Sequence, residues 1–330
     1  MALPLPSVYR RESVGQLYLE DAARIAEEAD RYRRAHGIRE AREDRHRIAV
    51  LAIDCQVTFC MPGASLFVPG AVEDGERAIE WMYRNLDRLT SLFFTLDTHS
   101  MFQIFHPAAW VDPEGRHPAP FTVITAAEVR RGRWIPLLRP ESFPDFTAAC
   151  VEYCDALEAG GRYVLTIWPY HALLGGISHS LVPALHEAAL FHAAARRTDA
   201  VFELKGRSPV TESYSALAPE VRRLQGVDVG VFNARLFDTL LAHDRVYVFG
   251  QAKSHCVLFT LRDILRECHR RDAALLDRIW ILEDAMSPVA PPPLDPLPEA
   301  LDFPRVADRA MAEMAAAGMH LTRTADPVPA

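Results

Sequence analysis

The sequence predicts an α/β fold, a three-layer α/β/α sandwich built on a mainly parallel sheet of roughly six strands. The first observation is an alternation: from Arg47 onward, short apolar runs are separated by segments of helical periodicity, which is the pattern of parallel strands joined by helices. The second is size, because 330 residues of which 49% are hydrophobic can bury a large core. An ordered α/β domain is therefore expected.

Residues 1–46 are predicted to form a helical extension that packs on the main body or on a partner subunit. They are rich in Arg, Glu and Ala, and apolar residues recur at roughly helical spacing between Leu17 and Ala26. The main domain follows at 47–330, with strands predicted at the runs RIAVLAID, LFFTLD, YVLTIW, AVFELK, RVYVFG and IWILED.

Two segments of the main domain are expected to be irregular. One is an insertion at about 105–160, and the other is the Pro-rich stretch at 286–304. A closing helix is predicted in VADRAMAEMAAAGM, followed by a last short strand in HLTRT.

Charge and hydropathy exclude two classes of partner. The chain has 36 basic and 44 acidic residues, so it lacks the positive field that holds nucleic acid. Its apolar runs are shorter than the ~20 residues that span a bilayer, and its first residues lack the apolar segment of a secretory signal. We therefore expect a cytoplasmic protein, without nucleic-acid or membrane partners, whose six cysteines are free thiols.

Reactive side chains follow five of the predicted strands. In an open parallel sheet, ligands bind beyond the carboxyl ends of the strands. The strands here lead to two carboxylates, two imidazoles, one ammonium and one thiol, which are Asp54, Asp97, His99, His171, Lys205 and Cys256. The sequence therefore predicts one reactive crevice at this edge of the sheet.

Asp54, Lys205 and Cys256 form the first chemical set. A thiol attacks as the thiolate, and both a neighbouring base and the positive end of a helix favour that form. Cys256 opens a predicted amphipathic helix, CVLFTLRDILREC, and Lys205 is expected to lower the thiol pKa or to orient the carboxylate. The alternative is a small buried thiol that only fills space.

Asp97, His99 and His171 form the second set. Side chains at i and i+2 on an extended segment point to the same side, so Asp97 and His99 can bind one ion. His171, which follows the next predicted strand, can supply a third ligand. Oxygen and nitrogen ligands of this kind bind zinc, iron or manganese. His106 is a competing ligand, and a hydrogen-bonded Asp-His cluster without metal is the alternative.

Five motifs in this order resemble the isochorismatase-like cysteine hydrolases, and among them the nicotinamidases. The family's D-x-Q, D-x-H, W-P-x-H, K-G with Y-S-A, and G-x-A-x-x-x-C-V segments are matched across about residues 48–323. The matching residues are Asp54, Gln56 and Phe59; Asp97 and His99; Trp168, Pro169 and His171; Lys205, Gly206, Tyr214, Ser215 and Ala216; and Gly250, Ala252, Cys256 and Val257.

The resemblance implies an isochorismatase-like fold and a nitrilase-like reaction. Asp54 would take the thiol proton, Cys256 would attack an amide carbonyl, and a thioester would form as ammonia leaves. Lys205 would hold charge near the adduct. An oxyanion hole would be built from Ala252, Lys253 and Cys256, shaped by a cis peptide bond between Ala252 and Lys253.

The resemblance also implies a cofactor, a pocket and a substrate. A divalent metal would be held by Asp97, His99 and His171, with zinc favoured over iron or manganese, and Phe59 and Trp168 would line the substrate ring pocket. The favoured substrate is nicotinamide, the alternatives being another small amide or ureido compound, or a catalytically silent ligand-binding protein of this fold. A homo-oligomer is expected.

Several residues depart from the family pattern around the pocket. Thr58 stands in place of the second acid of the first motif, Ala172 follows His171, and AKSHC precedes and includes the nucleophile. Glu212 is interpreted as a surface carboxylate, with a contact to metal-bound water as the alternative. These departures concern the choice of substrate more than the chemistry.

Overall fold

The computed structural model describes residues 2–160, 163–291, 295–297 and 299–329. Its strands are β1 (Ile48–Ile53), β2 (Leu89–Asp97), β3 (Trp110–Val111), β4 (Ile135–Pro136), β5 (Val201–Lys205), β6 (Arg223–Leu224), β7 (Val227–Asp228), β8 (Arg245–Gly250), β9 (Ile279–Leu282) and β10 (His320–Thr322). Its α-helices are α1 (Ala22–His36), α2 (Val57–Cys60), α3 (Ala71–Arg84), α4 (Ala126–Arg130), α5 (Phe146–Ala159), α6 (Pro183–Arg196), α7 (Ala234–Leu241), α8 (Leu258–Arg271) and α9 (Phe303–Ala316).

A parallel sheet in the order β10-β9-β8-β1-β2-β5 forms the centre of the molecule. Every residue of β1 is buried, as expected for a central strand covered by helices on both faces. Helices flank the sheet: α1 and α3 contact α6, and α8 contacts α9. The predicted α/β fold with a mainly parallel sheet is confirmed.

Five of the six predicted runs and the closing HLTRT form the strands of this sheet, and four of these strands bring the site residues together. β1, β2, β5 and β8 lie side by side and run in the same direction, so their carboxyl ends reach one edge of the sheet. The two outermost strands on the other side, β9 and β10, complete the sheet. The closing helix is observed as α9.

The run YVLTIW is not a strand of this sheet, which corrects the prediction. Its backbone is extended, but it pairs with residues of the 105–160 segment: Ile124 N donates to Leu165 O at 2.9 Å, and Trp168 N donates to Phe105 O at 2.8 Å. The edge of β2 is occupied instead by β5. Apolar composition predicted an extended backbone here, but not which segment would pair with it.

Two further expectations need correction. The N-terminal helix begins only at Ala22, where the Asp21 side chain accepts from the Arg24 amide; Leu17 and Leu19 lie before it and are 55% and 96% exposed. The 105–160 segment is also more regular than expected, since it contains α4, α5 and the β3-β4 ladder. The predicted Pro-rich stretch at 286–304 lies partly outside the described residues.

Among the described residues, the helices are all too short or too polar to span a bilayer.

Candidate active site

Asp54, Lys205 and Cys256 meet at the carboxyl edge of the sheet. Asp54 follows β1, Lys205 ends β5, and Cys256 lies in a π-helical turn, Lys253–Val257, that leads into α8. Lys205 Nζ lies 2.9 Å from Asp54 Oδ2 and 3.6 Å from Cys256 Sγ. Asp54 is fully buried, and the other two are each 6% exposed. The structure therefore places the first predicted set within contact distance.

The backbone fixes the direction of the Asp54 carboxylate. Asp54 has a φ of 48°, in the left-handed region that aspartate tolerates better than most residues. Its amide donates to Thr95 O at 3.2 Å, and Thr95 Oγ1 donates to Asp54 Oδ1 at 2.5 Å. On the other side, a Cβ on Gly250 would lie only 2.1 Å from Ile53 O. Only glycine permits this close approach of β8 to the end of β1.

Burial controls the proton affinities of the acid and the thiol. It raises the pKa of Asp54 and raises that of Cys256 well above its ordinary value, although the Lys205 charge acts in the opposite direction on both. Burial acts to lower the pKa of Lys205, but the Asp54 and Asp97 carboxylates outweigh it and hold that pKa well above its ordinary value. The resting site therefore holds a charged lysine beside a protonated thiol.

Asp97, His99 and His171 form a second cluster beside the first. Asp97 Oδ2 lies 2.9 Å from His99 Nε2 and 3.7 Å from His171 Nε2. The Nδ1 atoms of the two imidazoles face the carbonyls of Gly206 and Pro169, at 3.2 and 2.8 Å. With Nδ1 donating to a carbonyl, each Nε2 keeps a lone pair directed at the cluster. One ligand atom from each residue lies within 4.8 Å of the others.

This donor set fits a divalent metal. One carboxylate oxygen and two imidazole nitrogens are ligands that zinc, iron and manganese accept. His106 is buried against the same two imidazoles, and its Nε2 has no hydrogen-bond partner within the described part of the chain. Burial and the neighbouring imidazoles lower the pKa of His106 to about 3, so this ring is neutral and keeps a nitrogen lone pair, as the prediction of a competing ligand requires.

Asp97 belongs to both clusters through different oxygens. Its Oδ1 accepts from Lys205 Nζ at 3.0 Å, whereas its Oδ2 faces the imidazoles. Burial acts to raise the pKa of Asp97, but His99 and Lys205 outweigh it and hold that pKa well below its ordinary value. Gln56 fixes the end of β2, since its Nε2 donates to Asp97 O at 2.9 Å and its Oε1 accepts from the Asp97 amide at 2.7 Å.

A cavity of about 250 Å³ opens beside the second cluster and reaches Cys256 of the first. Asp97, His99 and His171 lie on its wall together with Cys256. Aromatic side chains supply much of the remaining wall, and they include both predicted pocket residues, Phe59 and Trp168, with Phe67, Phe121 and Tyr214. A mostly apolar cavity with a few convergent polar groups is the usual form of a small-molecule site.

The predicted oxyanion region needs a correction at Lys253. The cis bond joins Gln251 to Ala252, one residue earlier than expected. The Gln251 amide donates to Ile53 O at 2.8 Å, and the Lys253 amide donates to Ser287 O at 2.8 Å. Because that amide already has an acceptor, it is not free for an oxyanion. Ala252 and Cys256 line the cavity.

Two cavity residues were missed or misinterpreted from the sequence. Glu212, interpreted as a surface carboxylate, is 6% exposed and lines the cavity, where burial and the Glu220 carboxylate raise its pKa well above the ordinary value. His255 lines the cavity directly before Cys256, and burial lowers its pKa to about 3. The position of His255 next to the predicted nucleophile was the signal that could have identified it.

The fold and the site together define a class, an α/β sandwich with an Asp-Lys-Cys set beside a candidate metal cluster at the carboxyl edge of its parallel sheet. Solved structures share this fold. The nicotinamidase/pyrazinamidase of Acinetobacter baumanii has a TM-score of 0.52 and 18% identity, over 86% of this chain and 98% of that one. The yeast nicotinamidase bound to the inhibitor nicotinaldehyde has a TM-score of 0.53 and 16% identity, over 84% of this chain and 99% of that one.

At these identities the likeness shows the fold. No protein-family model matches the chain, and no curated protein is significantly similar to it in sequence.

Proposed function

We propose that this protein is a cysteine-dependent amidohydrolase that cleaves a small carboxamide, with nicotinamide as the leading substrate and ammonia as a product. The observation that carries the proposal is the position of the Lys205 ammonium, which lies 2.9 Å from Asp54 and 3.6 Å from Cys256. Of these three residues, Cys256 lies on the wall of the cavity. A buried thiol that only filled space would not require a charged lysine and a buried carboxylate beside it.

In the proposed first half-reaction, Cys256 Sγ attacks the amide carbon as Asp54 takes the thiol proton. The raised pKa of Asp54 makes this carboxylate a stronger base than an exposed aspartate. Lys205 stabilises the negative charge that develops close to it. Asp54 then returns the proton to the departing nitrogen, the C–N bond breaks, and ammonia leaves a thioester on Cys256.

In the proposed second half-reaction, water hydrolyses the thioester. Asp54 accepts a proton from the water as its oxygen bonds to the carbonyl carbon. The C–S bond then breaks, the sulfur regains a proton, and the carboxylic acid product is released. One residue, Asp54, thus serves as base and then as acid in each half of the cycle.

Asp97, His99 and His171 would hold a divalent metal, with zinc favoured over iron or manganese, and His106 is a further candidate ligand. A metal held there would supply a coordination position for a ring heteroatom of the substrate. The aromatic wall, including Phe59 and Trp168, would pack against the ring of the substrate and hold it in place.

The direct test compares ammonia release from nicotinamide by the wild-type protein and by Cys256→Ala. We expect a loss of at least ~10³-fold in kcat for Cys256→Ala, because removing a nucleophile removes the covalent route. The matched control is Cys268→Ala, which removes a fully buried thiol on α8 and should lower stability but leave kcat within ~3-fold. Equal activity of Cys256→Ala and wild type would remove the proposed nucleophile.

A second candidate, hydrolysis of another small amide or ureido compound, is favoured by His255. Its Nδ1 pairs with Ser254 Oγ at 2.8 Å, and the same Oγ accepts from the Val289 amide at 3.1 Å. No other acceptor for the Ser254 hydroxyl is found in the described residues, so that hydroxyl donates to Nδ1. The proton of the neutral ring then sits on Nε2, which offers a donor at the cavity wall.

An amide panel distinguishes the two candidates. If the physiological substrate carries a hydrogen-bond acceptor that meets His255, compounds with such a group should exceed nicotinamide in kcat/KM. His255→Phe should reduce that preference by ~10-fold or more while leaving nicotinamide turnover largely intact. A chain that turned over no panel member would instead favour the silent ligand-binding alternative.

A further inference from the structure

β5 forms one edge of the sheet and exposes an unusual amount of apolar surface. Val201, Phe202 and Leu204 are 40%, 44% and 41% exposed, and no described strand pairs with the outer side of β5. Sheet edges that stay free in solution are protected by charges, proline, bulges or short length. The remaining side chains of β5 offer little protection, because Lys205 is buried and Glu203 accepts from Asn233 Nδ2 at 2.9 Å.

The opposite edge of the sheet has the protection that β5 lacks. β10 contains only three residues, of which Leu321 is 37% exposed. The His320 ring stacks on Trp280 at a centroid distance of 4.2 Å. Arg323, which follows the strand, pairs with Glu283 at 3.1 Å. The two edges of one sheet therefore differ in length, charge and apolar exposure.

The apolar surface continues from β5 onto its flank. A groove of about 560 Å³ beside Phe202 is also lined by Leu17, Leu19 and Ile177, which are 55%, 96% and 69% exposed. We take a fully exposed large apolar residue to present roughly 175 Å² of surface. On that basis, the four groove residues together with Val201 and Leu204 expose on the order of 600 Å² of largely apolar surface. A stable protein interface takes roughly 800 Å² from each partner, a little over half of it apolar.

The charges at the two ends of β5 are self-complementary. Asp199 lies four positions before Glu203 and Arg207 lies four positions after it, and both are exposed. Their side chains make no ion pair within the described residues. Asp199 precedes β5 by two residues and Arg207 follows it by two, so antiparallel pairing of two β5 strands about Glu203 brings the Asp199 end of each copy beside the Arg207 end of the other. A partner unrelated in sequence would match this arrangement only by coincidence.

We propose that β5 is the dimer interface of this protein, with two copies pairing their β5 strands antiparallel about a two-fold axis. The pairing joins the two sheets into one, satisfies the open backbone edge, and brings the apolar flank formed by Leu17, Leu19 and Ile177 against the partner. This inference is independent of the proposed reaction.

The test measures the mass of the full chain by light scattering and sedimentation over a range of concentrations. Wild-type protein is expected at twice the chain mass of 37.0 kDa. The double variant Val201→Lys/Leu204→Lys is expected at the mass of one chain, with Kd raised at least ~100-fold. The matched control, Leu321→Lys on the opposite edge, should remain dimeric. Thermal unfolding of all three proteins verifies that they fold.

Charge variants test the orientation without touching the apolar residues. Asp199→Arg and Arg207→Glu should each weaken the dimer by ~10-fold or more, and an equimolar mixture of the two should restore association, because each then meets an opposite charge. A wild-type chain that stays monomeric at 100 µM (about 3.7 mg/ml for 37.0 kDa) would overturn the proposal. So would a dimer that survives both the lysine variant and the charge variants.

Discussion

At the residue scale, the two clusters of the site are coupled through one carboxylate. Asp97 uses Oδ1 for Lys205 and Oδ2 for the imidazoles, so displacement of this side chain would disturb the candidate nucleophile set and the candidate metal set together. The sequence placed Asp97 only in the metal set, because its i,i+2 relation to His99 is visible in the chain. Its contact with Lys205 joins residues 108 positions apart and is visible only in the folded protein.

Gly206 gives a residue-scale prediction. Its φ is +76°, and a Cβ there would lie 2.7 Å from Asp97 Oδ1 and 2.8 Å from His99 Cε1. We expect Gly206→Ala to weaken zinc binding at least ~10-fold and to lower kcat/KM, because the added methyl group displaces both side chains. Metal titration followed by elemental analysis measures the first effect.

Gly226→Ala is the matched control, since its φ is +78° and nothing lies within 4 Å of the added Cβ. It carries the same backbone penalty, roughly 1 kcal/mol, but should bind metal normally. Equal metal affinity in the two variants would contradict the steric argument.

At the scale of elements, a buried arginine ties the N-terminal segment to the body. Arg196, at the end of α6, is fully buried and forms an ion pair with Asp44. Its Nη1 donates to Arg39 O at 2.6 Å, and its Nε donates to Leu89 O at 3.2 Å. Helical periodicity predicted that residues 1–46 would contain a helix. It did not indicate that polar contacts from α6 would hold the segment after that helix.

Arg196→Leu should therefore reduce the free energy of unfolding by ~3–5 kcal/mol, because it leaves the buried Asp44 carboxylate without its cation. The neighbouring Arg197 is the control: its side chain is 56% exposed in its pair with Glu40, so Arg197→Leu should cost less than ~1 kcal/mol. Urea denaturation of the two variants measures the difference. Similar losses would show that the buried contacts of Arg196 contribute no more than a surface pair.

At the scale of the whole molecule, the sheet assembles the site and the core controls the protonation of buried groups. His192 in α6 is 1% exposed and its Nε2 faces Leu89 O at 2.9 Å. Burial lowers the pKa of His192 to about 4. This imidazole therefore stays neutral in the folded protein at pH values where it is protonated in the unfolded chain.

The consequence is a specific loss of stability in acid. Between pH ~6.5 and ~4 the unfolded chain gains a proton that the folded protein does not, so stability falls as pH decreases, by up to ~3 kcal/mol from this group, and levels off below pH ~4. His192→Gln should remove this contribution. Urea denaturation of both proteins at several pH values measures it as the difference between the two stability curves. Parallel curves would mean that His192 titrates normally.

The sequence by itself determined the class of fold and pointed to most residues of the candidate site, because both depend on local patterns. Fully apolar runs specify buried strands, and in parallel strands the residue that follows each run must reach the same edge; Asp54, Lys205 and Cys256 therefore meet. The tertiary structure alone decided the pairing of YVLTIW with the 105–160 segment, the position of the cis bond before Ala252, and the burial of Glu212 in the cavity wall. These features depend on contacts between segments that lie far apart in the chain. No local sequence pattern specifies which of those segments pair or pack together.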